Sequence, residues 1–271
     1  MRALVITDIH GNLPALEAVL AAAASPAVGG FDELWNLGDM VGYGAQPNQV
    51  LDLLIHTPTL RTLHVRGNHD RVCCGLTSPQ GFNPIAAAAA LWTKDHLTPD
   101  HLAWLRAVPQ GPVRATARAM CAHGSPLHED QYIVSMRDAW TPLQRMESAI
   151  TFFGHTHVQG SFSRHDMEWD EERPAFLSAY ETRYSDGLAE CVIEVPVDSR
   201  QLINPGSVGQ PRDGDWRAAF ALYDNLAEDS SEGPQERVTF YRVPYDVAAT
   251  QAAIRAAGLP ERLATRLTMG R

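Results

Sequence analysis

Ala3-Leu4-Val5-Ile6-Thr7-Asp8-Ile9-His10-Gly11-Asn12 opens as an apolar run and closes on a carboxylate, an imidazole, a glycine and an amide. A short apolar run bounded by polar residues reads as a buried strand. If the backbone stays extended past Ile6, successive side chains alternate faces, so Asp8 and His10 face one point while Ile9 returns to the core. Gly11 permits a tight turn, Asn12 suits a helix cap, and Pro14 fits a first helical turn, where its missing N–H costs little. Leu13, Leu16, Val19 and Leu20 then recur at helical spacing through an alanine-rich stretch to Ser25-Pro26. The first unit is a strand that ends in metal-competent side chains and feeds a helix.

The same arrangement recurs along the chain. Residues 31–37 form a second strand that ends in Gly38-Asp39 and the turn Gly42-Tyr43-Gly44. Pro47 opens a helix with Val50, Leu51, Leu54 and Ile55 on one side, and residues 62–65 form a third strand ending in Gly67-Asn68-His69-Asp70. Two helices follow between Phe82 and Val108, started by Asn83-Pro84 and Thr98-Pro99-Asp100. Residues 113–122 alternate weakly and run into His123-Gly124-Ser125, whereas 149–153 make a clearer strand that ends in Gly154-His155-Thr156-His157.

The segment at about 158–200 is rich in charges and turn formers, with a strand at 189–195, and reads as a solvated hairpin insertion. Two closing strands lie at 218–223 and 238–243, with 228–236 as an exposed loop between them. Asp246 caps a helix over 247–257, Gly258 fits its C-terminal end, and a short helix follows Pro260. With neither an internal repeat nor a long linker, residues 1–271 are expected to form one domain.

Bulk properties exclude several function classes. The 271 residues are 45% hydrophobic and 20% charged, an ordinary globular composition. A net charge of −10 argues against an extended nucleic-acid surface or an anionic-membrane surface. The four cysteines (Cys73, Cys74, Cys121, Cys191) show no spacing for a disulfide framework or a thiolate zinc site, so a reducing cytoplasmic setting is expected. No apolar stretch is long enough to span a bilayer.

Asp8, His10, Asp39, Asn68, His123, His155 and His157 stand in five ordered blocks: Asp-x-His-Gly-Asn, Gly-Asp, Gly-Asn-His-Asp, His-Gly and Gly-His-Thr-His. In this order they resemble the calcineurin-like metallophosphoesterase family, especially its small bacterial and archaeal phosphodiesterase-type members. The resemblance spans nearly the whole chain, including Asn204-Pro205-Gly206-Ser207. It implies a four-layer α/β/β/α sandwich of two mixed sheets flanked by helices, with ligands at strand ends.

It also implies two divalent metal ions, with Asp39 bridging them, Asp8, His10 and His157 completing one site, and Asn68, His123 and His155 the other. Two ions about 4 Å apart can hold a phosphate ester and generate a bridging hydroxide near neutral pH. The O/N ligand mixture suits Mn first, with Fe, Co, Ni or Zn as alternatives. Asn68 adds a neutral oxygen, which limits the negative charge and keeps the ions acidic.

The resemblance further implies that His69 protonates the leaving-group oxygen or steadies the transition state, with Asp70 orienting its ring. It also implies that Tyr43 and Arg212 lie in blocks near the site, with Arg212 a candidate phosphate contact or, alternatively, a surface salt bridge. His128 reads as a loop histidine and His64 as strand packing.

The expected function is hydrolysis of phosphodiesters in a small-molecule or nucleotide substrate. The alternative is a phosphomonoesterase, including a protein serine/threonine phosphatase. Protein phosphatases of the family carry Asp-Arg-Gly after the bridging aspartate, whereas this chain has Gly42-Tyr43-Gly44. A third reading is a non-catalytic scaffold, as in the retromer's metallophosphoesterase-like subunit, but such a protein is expected to lose ligands that this chain keeps. The sequence leaves the oligomeric state open.

Overall fold

Residues of β1 (Arg2–Ile6) alternate between two cores, because a strand sends successive side chains to opposite faces. Ala3 and Val5 enter an apolar cluster between two sheets, whereas Leu4 and Ile6 enter the cluster beneath the helices. Burial on both sides explains why this run is apolar throughout. The computed structural model describes residues 1–57, 59, 61–173, 188–196, 198–226 and 235–271.

In the first sheet β1 lies between β2 (Glu33–Asn36) and β11 (Ala218–Leu226). Beyond β2 lies β3 (Arg61–His64), and beyond β11 lie β12 (Gln235–Val243) and β9 (Ala189–Val195). The second sheet runs in the order β4 (Val113–Arg114), β5 (Ala119–Cys121), β6 (Ile150–Phe152), β10 (Arg200–Asn204), β7 (Gly160–His165) and β8 (Glu168–Glu172). Strands β1, β2 and β3 are parallel, as are β5, β6 and β10. The loops that follow the carboxyl ends of these six strands carry the candidate ligands and their supports, the usual place for a site in a sheet of this kind.

The sheets stack face to face through Trp35, whose ring meets Phe152 edge-on at 5.8 Å and Tyr223 at 5.4 Å. Helices α1 (Leu13–Ala24) and α2 (Pro47–His56) cover the outer face of the first sheet with Leu16, Val19, Val50, Leu51 and Leu54. Helix α6 (Met136–Arg145) covers the second sheet, with Ala139 and Leu143 against Phe162 and Leu202. The expected four-layer α/β/β/α arrangement therefore results from two sheets that each bury both faces.

Local caps agree with the sequence. The Asn12 side chain accepts from Ala15 N at 3.3 Å and starts α1. Asn83, Thr98 and Asp246 likewise start α4 (Pro84–His96), α5 (Pro99–Ala107) and α7 (Val247–Ala256). The chain then turns through α8 (Glu261–Thr265) into a short 3-10 helix, Arg266–Met269.

Three local features depart from the sequence reading. The Asn-His-Asp block after β3 is the first turn of a helix, α3 (Asn68–Cys73), with Gly67 as its cap. Within the acidic segment, β7 and β8 form a hairpin at the edge of the second sheet, but β9 pairs antiparallel with β12 in the first. The expected 158–200 insertion thus contributes strands to both sheets, and its residues 174–187 and 197 lie outside the described residues.

Glu236, expected in an exposed loop, is buried in β12, where Arg118 Nε reaches its carboxylate at 2.8 Å and the Tyr223 hydroxyl donates to it. A buried carboxylate with two donors is a tertiary feature that polarity along the chain does not signal. Gln235 also belongs to β12, and the loop's residues 228–234 lie outside the described residues.

Candidate metal centre

Asp8, His10, Asp39, His155 and His157 all take left-handed backbone conformations, with φ of 52°, 52°, 52°, 67° and 61°. Asp166 is the other non-glycine residue with positive φ among the described residues. Each such conformation costs about 1 kcal/mol or more and persists only where the surroundings enforce it. Here the loops after β1 and β2 continue side by side, with Asp8 N, His10 N and Gly11 N donating to the carbonyls of Gly38, Asp39 and Met40 at 2.9 Å each. This corrects the extended-strand account of Asp8 and His10. Strand β1 ends at Ile6, and the two side chains converge because both residues turn left-handed.

Two glycines admit the carboxylates. A Cβ on Gly67 would lie 2.0 Å from Asp39 Oδ1, and one on Gly154 would lie 2.8 Å from Asp8 Oδ2. At both points the backbone passes where a side chain would block a ligand. The same oxygens are held by backbone donors: Asp39 Oδ1 accepts from His69 N at 2.8 Å, and Asp8 Oδ2 from His155 N at 3.0 Å.

The ligand atoms form two groups that share Asp39: Asp8, His10, Asp39 and His157 in one, and Asp39, His123 and His155 in the other. Nδ1 of His10, His123 and His157 donates to the carbonyls of Val41, Leu37 and Gln210 at 3.2, 3.0 and 2.6 Å. That bond occupies Nδ1 and turns Nε2 towards the centre, the arrangement typical of metal-binding histidine.

In His10 and His157, which stay neutral, Nε2 is then an acceptor facing other acceptors. His10 Nε2 and His157 Nε2 are 3.2 Å apart, His157 Nε2 is 3.2 Å from Asp8 Oδ1, and His123 Nε2 is 3.4 Å from Asp39 Oδ2. Asp8 Oδ1 and His155 Nε2 are buried with no hydrogen-bond partner. Such atoms are costly unless a cation satisfies them, so the donor set fits divalent metal. Asn68 Oδ1, 3.1 Å from His123 Nε2, joins the second group from the start of α3.

Electrostatics point the same way. Burial would raise Asp8 and Asp39, but the neighbouring histidines hold both well below the usual carboxylate range. Burial pushes His10 and His157 down and His155 to about 3, so they stay neutral. Burial also opposes the charged form of His123, yet Asp39 and Asp8 raise it to about 9. Without a cation, that one ring holds the positive charge the carboxylates demand.

His69 sits beside this cluster, its ring 4.9 Å from His10, 4.5 Å from Tyr43 and 4.6 Å from Phe82, with Nδ1 unpartnered. Burial holds it at about 4. Asp70 does not orient that ring in this structure. Its two carboxylate oxygens accept from Val41 N at 3.2 Å and Gly67 N at 3.0 Å, because the helical turn at Asn68 aims it back at the loops instead of along a strand. Asp70 therefore ties the Asp39 loop to the cap of α3, and burial with Asp39 nearby pushes it up to about 7.

Tyr43 covers His10 at 4.6 Å, and the Arg212 guanidinium lies 5.8 Å from the Tyr43 ring centre. His128 lies in a loop outside the ligand groups, and His64 packs edge-on against Trp104.

The supports escaped sequence reasoning because backbone carbonyls carry no residue signal. Two side-chain supports lie in the Asn204–Ser207 block. Asn204 Nδ2 donates to Gly154 O and Thr156 Oγ1 at 3.0 and 2.9 Å, and Ser207 Oγ donates to Asp8 O at 2.7 Å. Tyr132, whose ring lies 3.8 Å from that of His155, was also not singled out.

Known proteins share this chain's sequence pattern and fold. The profile of the calcineurin-like phosphoesterase family matches residues 1–159. An uncharacterised protein of Methanocaldococcus jannaschii is 32% identical over 270 residues, which is 98% of this chain and 97% of that protein. The crystal structure of a metallophosphoesterase from Sphaerobacter thermophilus superposes with a TM-score of 0.75 at 37% identity, covering 100% of this chain and 99% of that one. A hypothetical protein of Pyrococcus horikoshii shares the fold, with a TM-score of 0.73 at 19% identity, covering 100% of this chain and 98% of that one.

Proposed function

Because the chain belongs to the calcineurin-like phosphoesterase family, we propose that it hydrolyses phosphodiesters at a dinuclear metal centre built by Asp8, His10, Asp39, Asn68, His123, His155 and His157. The observation that carries this reading is the pair of ligand groups sharing Asp39, with buried acceptor atoms left unsatisfied. Bound there, two divalent cations, Mn first among Fe, Co, Ni and Zn, would supply Lewis acidity towards phosphoryl oxygens and make water a better nucleophile.

The chain's own residues do the rest. Bonds from Nδ1 to backbone carbonyls keep His10, His123 and His157 in the ligating tautomer. His69, neutral at pH 7, stands at the edge of the ligand cluster and gives a hydrogen bond or proton to the leaving-group oxygen. Arg212 holds a phosphoryl oxygen from the Tyr43 side; its Nε is buried without a partner. Tyr43 occupies the loop in which the family's protein phosphatases carry arginine, which favours a small diester over a phosphoprotein.

The test compares Mn-loaded protein on a generic diester, a generic monoester and a phosphopeptide. The diester should be turned over fastest by kcat/KM. A faster monoester or phosphopeptide would overturn that preference.

A further inference from the structure

Beyond Tyr43 the wall of the site becomes cationic. A cavity of about 660 Å³ is lined by Tyr43, Tyr132, Asn83, Arg212, Arg262 and Arg266 among others, with no carboxylate in its lining. Among the described residues, no Asp or Glu lies within ion-pair distance of these three arginines, although nine other arginines have such a partner. Arg212 Nε is buried without a partner, and its side chain reaches Gln210 Oε1 at 3.0 Å. Arg266 is partly exposed and donates through Nε to an oxygen of Arg271, the last residue of the sequence.

The fold imposes this arrangement. Arg262 in α8 and Arg266 at the start of the 3-10 helix are four residues apart, hence on one face, where like charges weaken a helix. Arg212 approaches from the loop after His157, its backbone N–H donating to His157 O at 3.0 Å. Desolvation, then Arg212, lower the Arg266 guanidinium to about 10. In a chain of net charge −10, three guanidinium groups on one cavity wall, none paired with an Asp or Glu among the described residues, make that wall attractive to an anion.

We propose that this cavity binds a second phosphoryl group of the substrate, so that the compound hydrolysed carries at least one phosphoryl group beyond the scissile diester. Guanidinium forks match phosphoryl oxygens in pairs, and several forks around one cavity suit a doubly charged group with three terminal oxygens better than a carboxylate. The aromatic walls at Tyr43 and Tyr132 leave room for an organic link between the two groups. The assignment rests on the phosphoesterase reading for the position of the first phosphoryl group, and names the substrate class that reading leaves open.

The test is calorimetric binding of methylenediphosphonate, phosphonoacetate and methylphosphonate to the full-length Mn-loaded protein, beside the turnover assay. Wild type should prefer the diphosphonate over both others. Arg262→Ala/Arg266→Ala should lose about tenfold or more of that preference while still binding methylphosphonate. A control pair on the exposed face of α6, Arg137→Ala/Arg145→Ala, should keep it.

The proposal is overturned if wild type shows no preference, if phosphonoacetate binds as well as the diphosphonate, or if the double variant retains the preference. Parallel loss of all three ligands in the double variant, or an equal loss in the α6 control, would also overturn it. Absence of any turnover by wild type, with the diphosphonate preference intact, would instead count against the phosphoesterase reading alone.

Discussion

Metal binding should release a proton from His123. In the metal-free protein, Asp8 and Asp39 are already ionised, and His10, His155 and His157 are already neutral. His123 is the exception. Burial opposes its charge, but Asp39 and Asp8 raise it to about 9. A cation takes over that positive charge, so the proton must leave.

At pH 8 about nine-tenths of the molecules carry it, and at pH 9 about half. Asp70, near 7, adds only about a tenth at pH 8. The expected release is therefore about one proton at pH 8 and about half at pH 9. Apparent affinity should rise about tenfold per pH unit towards pH 9 and then level off.

The assay is calorimetric titration of Mn into metal-free protein in buffers of different ionisation heat. Their difference counts protons directly. His123→Gln should abolish most of the release while the Asp8 group still takes up metal. Zero release at pH 8, or the same release at pH 8 and 9, would refute the placement of that charge on His123.

His69→Ala should retain full metal content by elemental analysis but lose about 10²- to 10⁴-fold in kcat. Unchanged turnover per bound metal would remove His69 from the chemistry. Gly67→Ala should lower stability by about 1–3 kcal/mol and weaken metal binding, because the new Cβ meets Asp39 Oδ1 at 2.0 Å; a variant with wild-type melting temperature and affinity would show that the loop yields freely.

Thermal stability of the metal-free protein should peak between about pH 6.5 and 7. Burial holds His64 and His69 at about 4 and His155 at about 3, so between those values and 6.5 the unfolded chain binds more protons and stability rises with pH. Asp70, raised by burial and Asp39 to about 7, opposes with one proton between 3.8 and 7. Above 7, His123 binds a proton only when folded, so stability falls towards pH 9. Melting temperatures that climb steadily from pH 7 to 9 would contradict this.

The four layers, implied by the family resemblance, and the candidate ligand residues were legible in sequence because the motifs that carry them are local patterns. Short apolar runs ending in Gly-Asp or Gly-His, capped helices after them, and the order of five blocks are all properties of neighbours along the chain. Three things were not. The left-handed turns at Asp8, His10, Asp39, His155 and His157 are enforced by bonds between loops far apart in sequence.

The helical start at Asn68 turned Asp70 away from the ring beside it and onto Gly67 and Val41. Arg212, Arg262 and Arg266 lie up to 54 positions apart in the numbering and meet only because α8 and the 3-10 helix fold back over Tyr43. A sequence states which side chains can bind metal. Which carbonyls fix their tautomers, and which cations are left without partners, depends on contacts between distant segments, and those exist only once both sheets and their helices have packed.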